Sequence, residues 1–453
     1  MTPRENDGSH GHSQSSSHST TTIANRKSFD WLLKLIHHPN NNSSTILPEF
    51  RNVVLAVAPM VDQSDLPFRL LCRKYGANLA FTPMIHAKMF CEKPAYQSKF
   101  FNLMEGTPPE DRPLFVQLAG SDIHSLLQAA ILLQPHVDGI DLNCGCPQSI
   151  AKRGNYGAFL LEQPQLLISV VQQLASFLSI PLSVKVRLLP SGIEDSLNLY
   201  KQLQDAGASL LTIHGRNRFQ KAERTGHADW TAIRQAVDLL DIPILANGSM
   251  SSLQDIRDCL KYTGAAGVMC SEALLEYPPI FTESTLPSLL RKKADNNNNE
   301  TTTTSTIIRI GPSRLQIARE YLELANRYPP QHGGQGSGIK CIRAHVHRFL
   351  HADMQKYMEI RTMCATVDNN NNNGDFFSVL ERLEEIYQQD NHDVREEQLS
   401  WYVRHSHVVD PNTGTTCIQQ KLEREAKPSK KHELMGDAAE CMGCLFDENQ
   451  GDY

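Results

Sequence analysis

Short apolar runs alternate with stretches of helical spacing through the middle of the chain. Residues 53–60 form a β-branched run, and 65–75 carry apolar positions three and four apart. Further strand-like runs fall at 79–84, 113–120, 139–143, 181–188, 210–215, 243–247 and 267–270. Helical stretches cover 121–134, 163–178, 194–206, 230–240 and 253–261, and another helix is expected to begin near 278. Short apolar strands separated by amphipathic helices are the pattern of parallel βα units. Eight such units between about 50 and 290 match a closed barrel in size. The expected fold class is therefore α/β, a (β/α)₈ TIM barrel, with a smaller all-α region after it.

Polar residues fall in phase with this pattern. Met60, Gln117, Cys146, Lys185, His214, Asn247 and Ser271 each lie at or just past the C-terminal end of an expected strand, the face on which barrels build active sites. Lys185 is unusual inside a strand, because a charge facing a packed interior is costly without a partner. Taken alone, Cys146 reads best as a buried cysteine and His214 as a satisfied core histidine. A set in phase across several strands is harder to explain in that way. The run Asp141-Leu-Asn-Cys-Gly-Cys-Pro147 brings a thiol to a strand end, and Lys152, Arg153, Asn155 and Tyr156 follow in a polar, glycine-bearing loop. Gly and Pro there set a turn and do not extend the strand. Cys144, two residues before Cys146, is expected on the opposite strand face and is assigned to packing.

Composition narrows the class without choosing the chemistry. The chain has 453 residues, 40% of them hydrophobic, and no run of about 18 apolar residues that would suggest a membrane span. Eleven cysteines without disulfide-like pairing suit a reducing compartment, so the cytoplasm, or the nucleus, is expected. Cys441 and Cys444 form one CxxC without a second ligand pair, so no metal site is assigned. Residues 1–49 are expected to be a disordered or variable extension lacking a secretory signal. The polar tracts 40–44, 296–304 and 369–373 read as loops. Residues 291–308 read as a linker, 309–392 as a helical domain and 393–453 as a variable tail. The net charge of −6 argues against nucleic acid, but its distribution argues the other way. Residues 309–365 hold nine Lys or Arg against four acids. Lys340, Arg343, His347 and His351 share helical spacing, and Ile342, Val346, Phe349 and Leu350 suit the packed face.

The ordered set 58–64 (APMVDQS), 141–147 (DLNCGCP), 151–158 (AKRGNYGA), 184–187 (VKVR), 214–216 (HGR), 246–249 (ANGS) and 267–272 (GVMCSE) resembles the tRNA-dihydrouridine synthases. It looks most like the eukaryotic branch acting on D-loop uridines 16 and 17. The resemblance implies FMN as cofactor, NAD(P)H as reductant, tRNA as substrate and a monomer. It implies that Cys146 gives the proton to uracil C5, a role suited to a thiol whose ordinary pKa is about 8.5. Lys185 would sit beside the flavin, with Gln117 and His214 bonding its ring or side chain and Pro59, Met60 and Val61 lining it. Asn247, Gly248, Ser249, Ser271 and Glu272 would meet its phosphate. Many relatives carry Gly-Arg where this chain has Ser271-Glu272, whereas this branch carries a small residue and Glu; Arg216 is an alternative source of positive charge. Lys152, Arg153, Tyr156, Arg216, Lys340, Arg343 and Arg348 would grip RNA. Two other readings stand beside this one: an FMN barrel reducing a free pyrimidine or small enone, and a catalytically silent tRNA-binding protein.

Overall fold

The protein is described by a computed structural model covering residues 29–37, 45–220, 226–282, 284–285, 309–330, 338–367 and 375–390. Eight parallel strands close into a ring: β1 Val54–Val57, β2 Leu79–Phe81, β3 Leu114–Ala119, β4 Gly139–Cys144, β5 Leu182–Arg187, β6 Leu210–His214, β7 Ile244–Asn247 and β8 Gly267–Cys270. Ala56 pairs with Leu79, Ala80 with Leu114, and Val57 with Cys270, so β1 closes the barrel between β2 and β8. The helices expected between 65 and 261 form within a few residues of their expected ends, for example Pro164–Phe177 and Trp230–Leu239, whereas the helix expected near 278 is only the 3₁₀ turn Pro278–Phe281, preceded by the short helix Glu272–Glu276. The helices Ala87–Glu92 and Pro94–Phe100 were not evident from apolar periodicity. Both are short, and neither presents a full apolar stripe.

Strand alternation divides the side chains into two sets. Leu118, Ile140, Leu142, Cys144, Val184, Val186, Ile213 and Ala246 join the core shared with the surrounding helices. Val54, Ala56, Leu79, Phe81, Phe115, Leu210, Leu245 and Met269 fill a separate layer, into which Leu32 and Ile36 are buried. These two residues come from the helix Asp30–Ile36. Part of the extension expected to be disordered or variable is thus ordered: this helix covers the apolar layer, which would otherwise face water. Residues 1–28, the tracts 40–44, 296–304 and 369–373, the linker up to 308 and the tail with its CxxC lie outside the described residues.

Beyond the barrel, Arg314–Arg327, Ile339–Phe349, His351–Lys356, Met358–Thr366 and Phe376–Gln389 pack as helices around Ala318, Val346, Phe349, Leu380 and Leu383. They meet the barrel across a buried polar seam. Tyr321 donates to Asp65 Oδ2 at 3.1 Å, and His345 Nε2 lies 3.1 Å from Asp65 Oδ1. Cys341 donates to the Asp62 carbonyl at 2.9 Å, and Arg314 pairs with Glu276 at 2.9 Å. Because Asp62 follows β1, the seam brings the start of Ile339–Phe349 to the C-terminal face of the barrel. Among the described residues, no helix is long and apolar enough to cross a membrane.

Candidate active site at the barrel mouth

The Cys146 loop is held from three sides. Asn143 Oδ1 accepts from the backbone N–H of Gly145 at 3.2 Å and of Cys146 at 3.0 Å. Arg187 Nε donates to the Gly145 carbonyl at 2.7 Å. The Cys146 carbonyl accepts from Ala158 N at 3.0 Å. Close approach there requires a glycine: Gly157 has φ +64, and a Cβ on it would lie 2.6 Å from the Cys146 carbonyl oxygen. Cys144 is fully buried among the outward-facing core residues, so its assignment to packing stands. The reason given for it does not, because residues two apart on a strand share a face. Cys146 differs because β4 ends at Cys144 and the turn redirects the chain.

Above the apolar layer the interior becomes polar. Gln117 Nε2 donates to Asp141 Oδ2 at 2.7 Å, Ser183 donates to Asp141 Oδ1 at 2.6 Å, and Asn143 Nδ2 donates to Gln117 Oε1 at 2.7 Å. Burial pushes the Asp141 carboxyl up to about 6, against the pull of those two donors. Lys185 Nζ reaches across to Asn247 Oδ1 at 3.0 Å, and Asn247 Nδ2 donates to the Met269 carbonyl at 2.8 Å. Burial, then the neighbouring Arg187, draws the Lys185 ammonium down to about 8. Among the described residues no carboxylate forms an ion pair with it. Asp141, Asn143 and Arg187 lay inside the sequence motifs without being assigned roles. The signal that could have marked them is period two: Asp141 and Asn143, like Lys185 and Arg187, are polar at consecutive inward positions.

The remaining corner gathers the expected phosphate residues. Arg216 donates to Ser249 Oγ at 2.9 Å and to the Gly226 carbonyl at 2.7 Å, and its Nη1 lies 2.9 Å from His214 Nε2. Ser249 Oγ also accepts from Ala228 N at 2.8 Å. Gly248 has φ +109, and a Cβ there would stand 2.9 Å from both Ala228 and His214. Burial lowers the Arg216 guanidinium to about 10, and Glu272 offsets part of that fall. Ser271 and Glu272 begin the short helix after β8, and both are half-buried. Next to this corner, past the end of β1, Pro59 and Met60 are half-buried and Val61 is exposed; Ser64 closes this turn by hydrogen bonds to the Met60 backbone.

The sequence matches the family profile described as Dihydrouridine synthase (Dus) over residues 56–387. The chain belongs to the dihydrouridine synthase family. It is 37% identical over 311 residues to the Mus musculus tRNA-dihydrouridine(16/17) synthase [NAD(P)(+)]-like protein, covering 69% of this chain and 58% of the relative. The Schizosaccharomyces pombe tRNA-dihydrouridine(16/17) synthase [NAD(P)(+)] is 36% identical over 68% of this chain and 72% of its own length. The Mus musculus tRNA-dihydrouridine(20a/20b) synthase-like protein is 36% identical over 232 residues, 51% of this chain and 69% of its own. The chain thus spans less than two thirds of the first of these relatives.

Placed in this dihydrouridine synthase fold, the expected RNA-gripping residues separate into two groups. Lys152 and Arg153 are exposed on the helix Ser149–Arg153, and Lys340 is exposed beside the loop after β1. Lys340 and Lys99 both lie close enough to Asp62 to offset the rise that burial gives its carboxyl. Four assignments need correction. Tyr156 is 3% exposed, set edge-on to His86 at 5.5 Å, and walls the Cys146 loop. Arg216 is 2% exposed and belongs to the Ser249 corner. Arg348 is 8% exposed, buried in the helical core, and Arg343 donates to the Cys364 and Val367 carbonyls at the end of the neighbouring helix. His351 also leaves the expected face: Ile339–Phe349 ends before it, and it is buried. Helical spacing alone could not distinguish a cation that caps a neighbouring helix from one that faces solvent.

Proposed function

We propose that this protein reduces uridine to 5,6-dihydrouridine in the D-loop of tRNA, at positions 16 and 17, using FMN and NAD(P)H, as a monomer. The observation that carries the reading is Cys146, held at the mouth of the barrel within electrostatic reach of Lys185 and Arg187. The family and the names of the 16/17 relatives support it. Those relatives also match over a longer stretch than the 20a/20b relative, which favours positions 16 and 17.

The residues fit a flavin mononucleotide. Lys185 is a half-buried cation bonded to a neutral amide, so an anionic ring would supply its missing counter-charge. The Gly248–Ser249 turn, tightened by the close approach of Ala228 and His214, would offer its backbone to the phosphate, with Arg216 behind it. Pro59, Met60 and Gln117 would border the ring, and Asn247, Ser249 and Ser271 the phosphate end, with Glu272 balancing Arg216. When bound, FMN supplies the hydride that reaches uracil C6 and is itself recharged by NAD(P)H. The chain's own contribution is acid–base and positional. The Cys146 thiol donates its proton to C5. Lys185 stabilises negative charge on its side of the pocket. Asn143 and Arg187 fix the loop through its backbone, and Tyr156 closes the pocket wall to water.

The target uridine must leave its stacked position to reach Cys146, which costs a few kcal/mol. Phosphate contacts from Lys152, Arg153 and Lys340 around the mouth would offset that cost without reading sequence. The basic rim favours this reading over a small free enone, which needs no such grip. The test is direct. The purified protein should be yellow and release about one FMN per chain. With NADPH and unmodified tRNA it should form dihydrouridine at positions 16 and 17, mapped by mass spectrometry. A colourless protein, or one that reduces free uracil and not tRNA, would refute the reading.

A further inference from the structure

The polar residues beneath the Cys146 loop form one directed chain of hydrogen bonds. A carboxylate can only accept hydrogen bonds, whereas an amide side chain has one accepting end and one donating end. Ionised Asp141 therefore dictates how Gln117 points: its Nε2 turns toward Asp141 Oδ2 at 2.7 Å. That leaves Gln117 Oε1 facing Asn143, whose Nδ2 donates to it at 2.7 Å. Asn143 must then turn its Oδ1 outward, where the backbone N–H groups of Gly145 and Cys146 donate to it at 3.2 and 3.0 Å. Ser183 donates to the other Asp141 oxygen at 2.6 Å and anchors the start of the chain. All four side chains are buried, so water cannot readily substitute for a missing partner.

We propose that Asp141 is a positioning residue: its charge sets the polarity of the Gln117–Asn143 relay and thereby the placement of the Cys146 loop. Asp141 is not catalytic, because two side chains stand between it and the reacting thiol. The inference deepens the reading of Cys146 as proton donor, but its structural half stands without that reading.

The relay makes an unusual demand on substitution. Asp141→Asn keeps the shape and removes only the acceptor-only property. Because a serine hydroxyl could accept from the introduced amide and leave the relay intact, the substitutions are made in a Ser183→Ala background, with Ser183→Ala alone as the reference, where the amide presents its N–H to Gln117. Gln117 then flips, Asn143 flips after it, and an amide N–H meets the N–H groups of Gly145 and Cys146. The loop is expelled from its seat. Adding Gln117→Glu restores an acceptor-only group between the introduced amide and Asn143, so Asn143 recovers its original orientation.

The experiment measures alkylation of Cys146 by iodoacetamide, resolved by peptide mass spectrometry, on the intact purified protein. Thermal melts and steady-state dihydrouridine formation accompany it. Asp141→Asn should change the Cys146 alkylation rate several-fold and lower kcat by roughly ten- to a hundredfold, the cost of about 1 Å of misplacement, with little change in KM for tRNA. Asp141→Asn/Gln117→Glu should return the alkylation rate toward that of Ser183→Ala alone, a rescue that a purely structural role for Asp141 would not produce. An unchanged alkylation rate in Asp141→Asn overturns the proposal. If Asp141→Asn does not fold, the double variant decides alone: recovery of fold and reactivity supports the relay, and failure of either overturns it. If alkylation follows the expected pattern while the unaltered protein makes no dihydrouridine, the relay stands and the proposed function falls.

Discussion

The two cysteines of Asn143-Cys-Gly-Cys146 show how a turn of the chain changes the fate of a thiol. Cys144 ends its strand inside a fully packed core, where burial lifts its thiol well above the ordinary range. Cys146 stands past the turn beside two cations. Cys146→Ala should leave flavin content and NADPH oxidation intact while dihydrouridine formation falls by roughly two to four orders of magnitude, the usual worth of a positioned proton donor. Cys144→Ala should leave that rate close to normal and show its cost in thermal stability. Equal losses of activity in the two variants would remove Cys146 from its role. Lys185 yields a second prediction, from its ammonium value of about 8. That value belongs to the flavin-free chain; a bound anionic ring would hold the proton to higher pH, so flavin reduction by NADPH should slow only as pH rises well above 8. The stability effect has the opposite sense. The native lysine releases its proton at lower pH than the unfolded one, so its contribution to stability grows as pH rises from about 8 toward 10.5. Differential scanning calorimetry of Lys185→Met against the unaltered protein should show that rise missing in the variant.

At the scale of elements, the decisive contact is between the end of β4 and the 3₁₀ segment Gly157–Glu162. Gly157 lies in the left-handed region, and its missing side chain leaves room for the Cys146 carbonyl. Gly157→Ala should therefore destabilise the protein by about 1–3 kcal/mol, the range for a strained non-glycine residue with an added clash. It should also slow dihydrouridine formation, because the residue that must yield is Cys146. Urea denaturation and single-turnover kinetics would read both effects. An unaffected turnover would mean that the loop is not held from this side. A pattern reading could find β4 and the glycine-bearing stretch after it. It could not find that the two touch, because that depends on how the loop folds back over the barrel.

For the whole molecule, the relevant surface is the basic rim shared by the barrel and the helical region. Lys152, Arg153 and Lys340 are exposed on it. Arg343 and Arg348, although basic and suitably spaced, are engaged at helix ends and in core packing. Binding assays across a salt series should separate the groups. Neutralising Lys152, Arg153 or Lys340 should flatten the salt dependence of tRNA binding by about one unit of slope for each phosphate no longer neutralised. Arg343→Ala should instead lower thermal stability and leave the slope unchanged. The reverse result would move the RNA path onto the other side of the helical region.

The sequence by itself determined the eight βα units, the polar residues at their mouths and the family. These follow from local period and residue type, and apolar burial makes that period obligatory. Its motif set also marked Cys146, Lys185, His214 and Asn247, which are brought together because strands in one closed ring present their ends to a common mouth. Only the tertiary structure decided that Asp30–Ile36 covers the barrel floor, that Asp141 sits at the head of a hydrogen-bond chain to the Cys146 loop, and that Arg216, Arg343, Arg348 and Tyr156 face the interior or a neighbouring helix and not solvent. Each of these depends on a contact between segments distant along the chain. A charge or a hydroxyl looks the same in a sequence whether its partner is water, a carbonyl of another helix or a neighbouring amide. Closure of the barrel and docking of the helices choose among those partners.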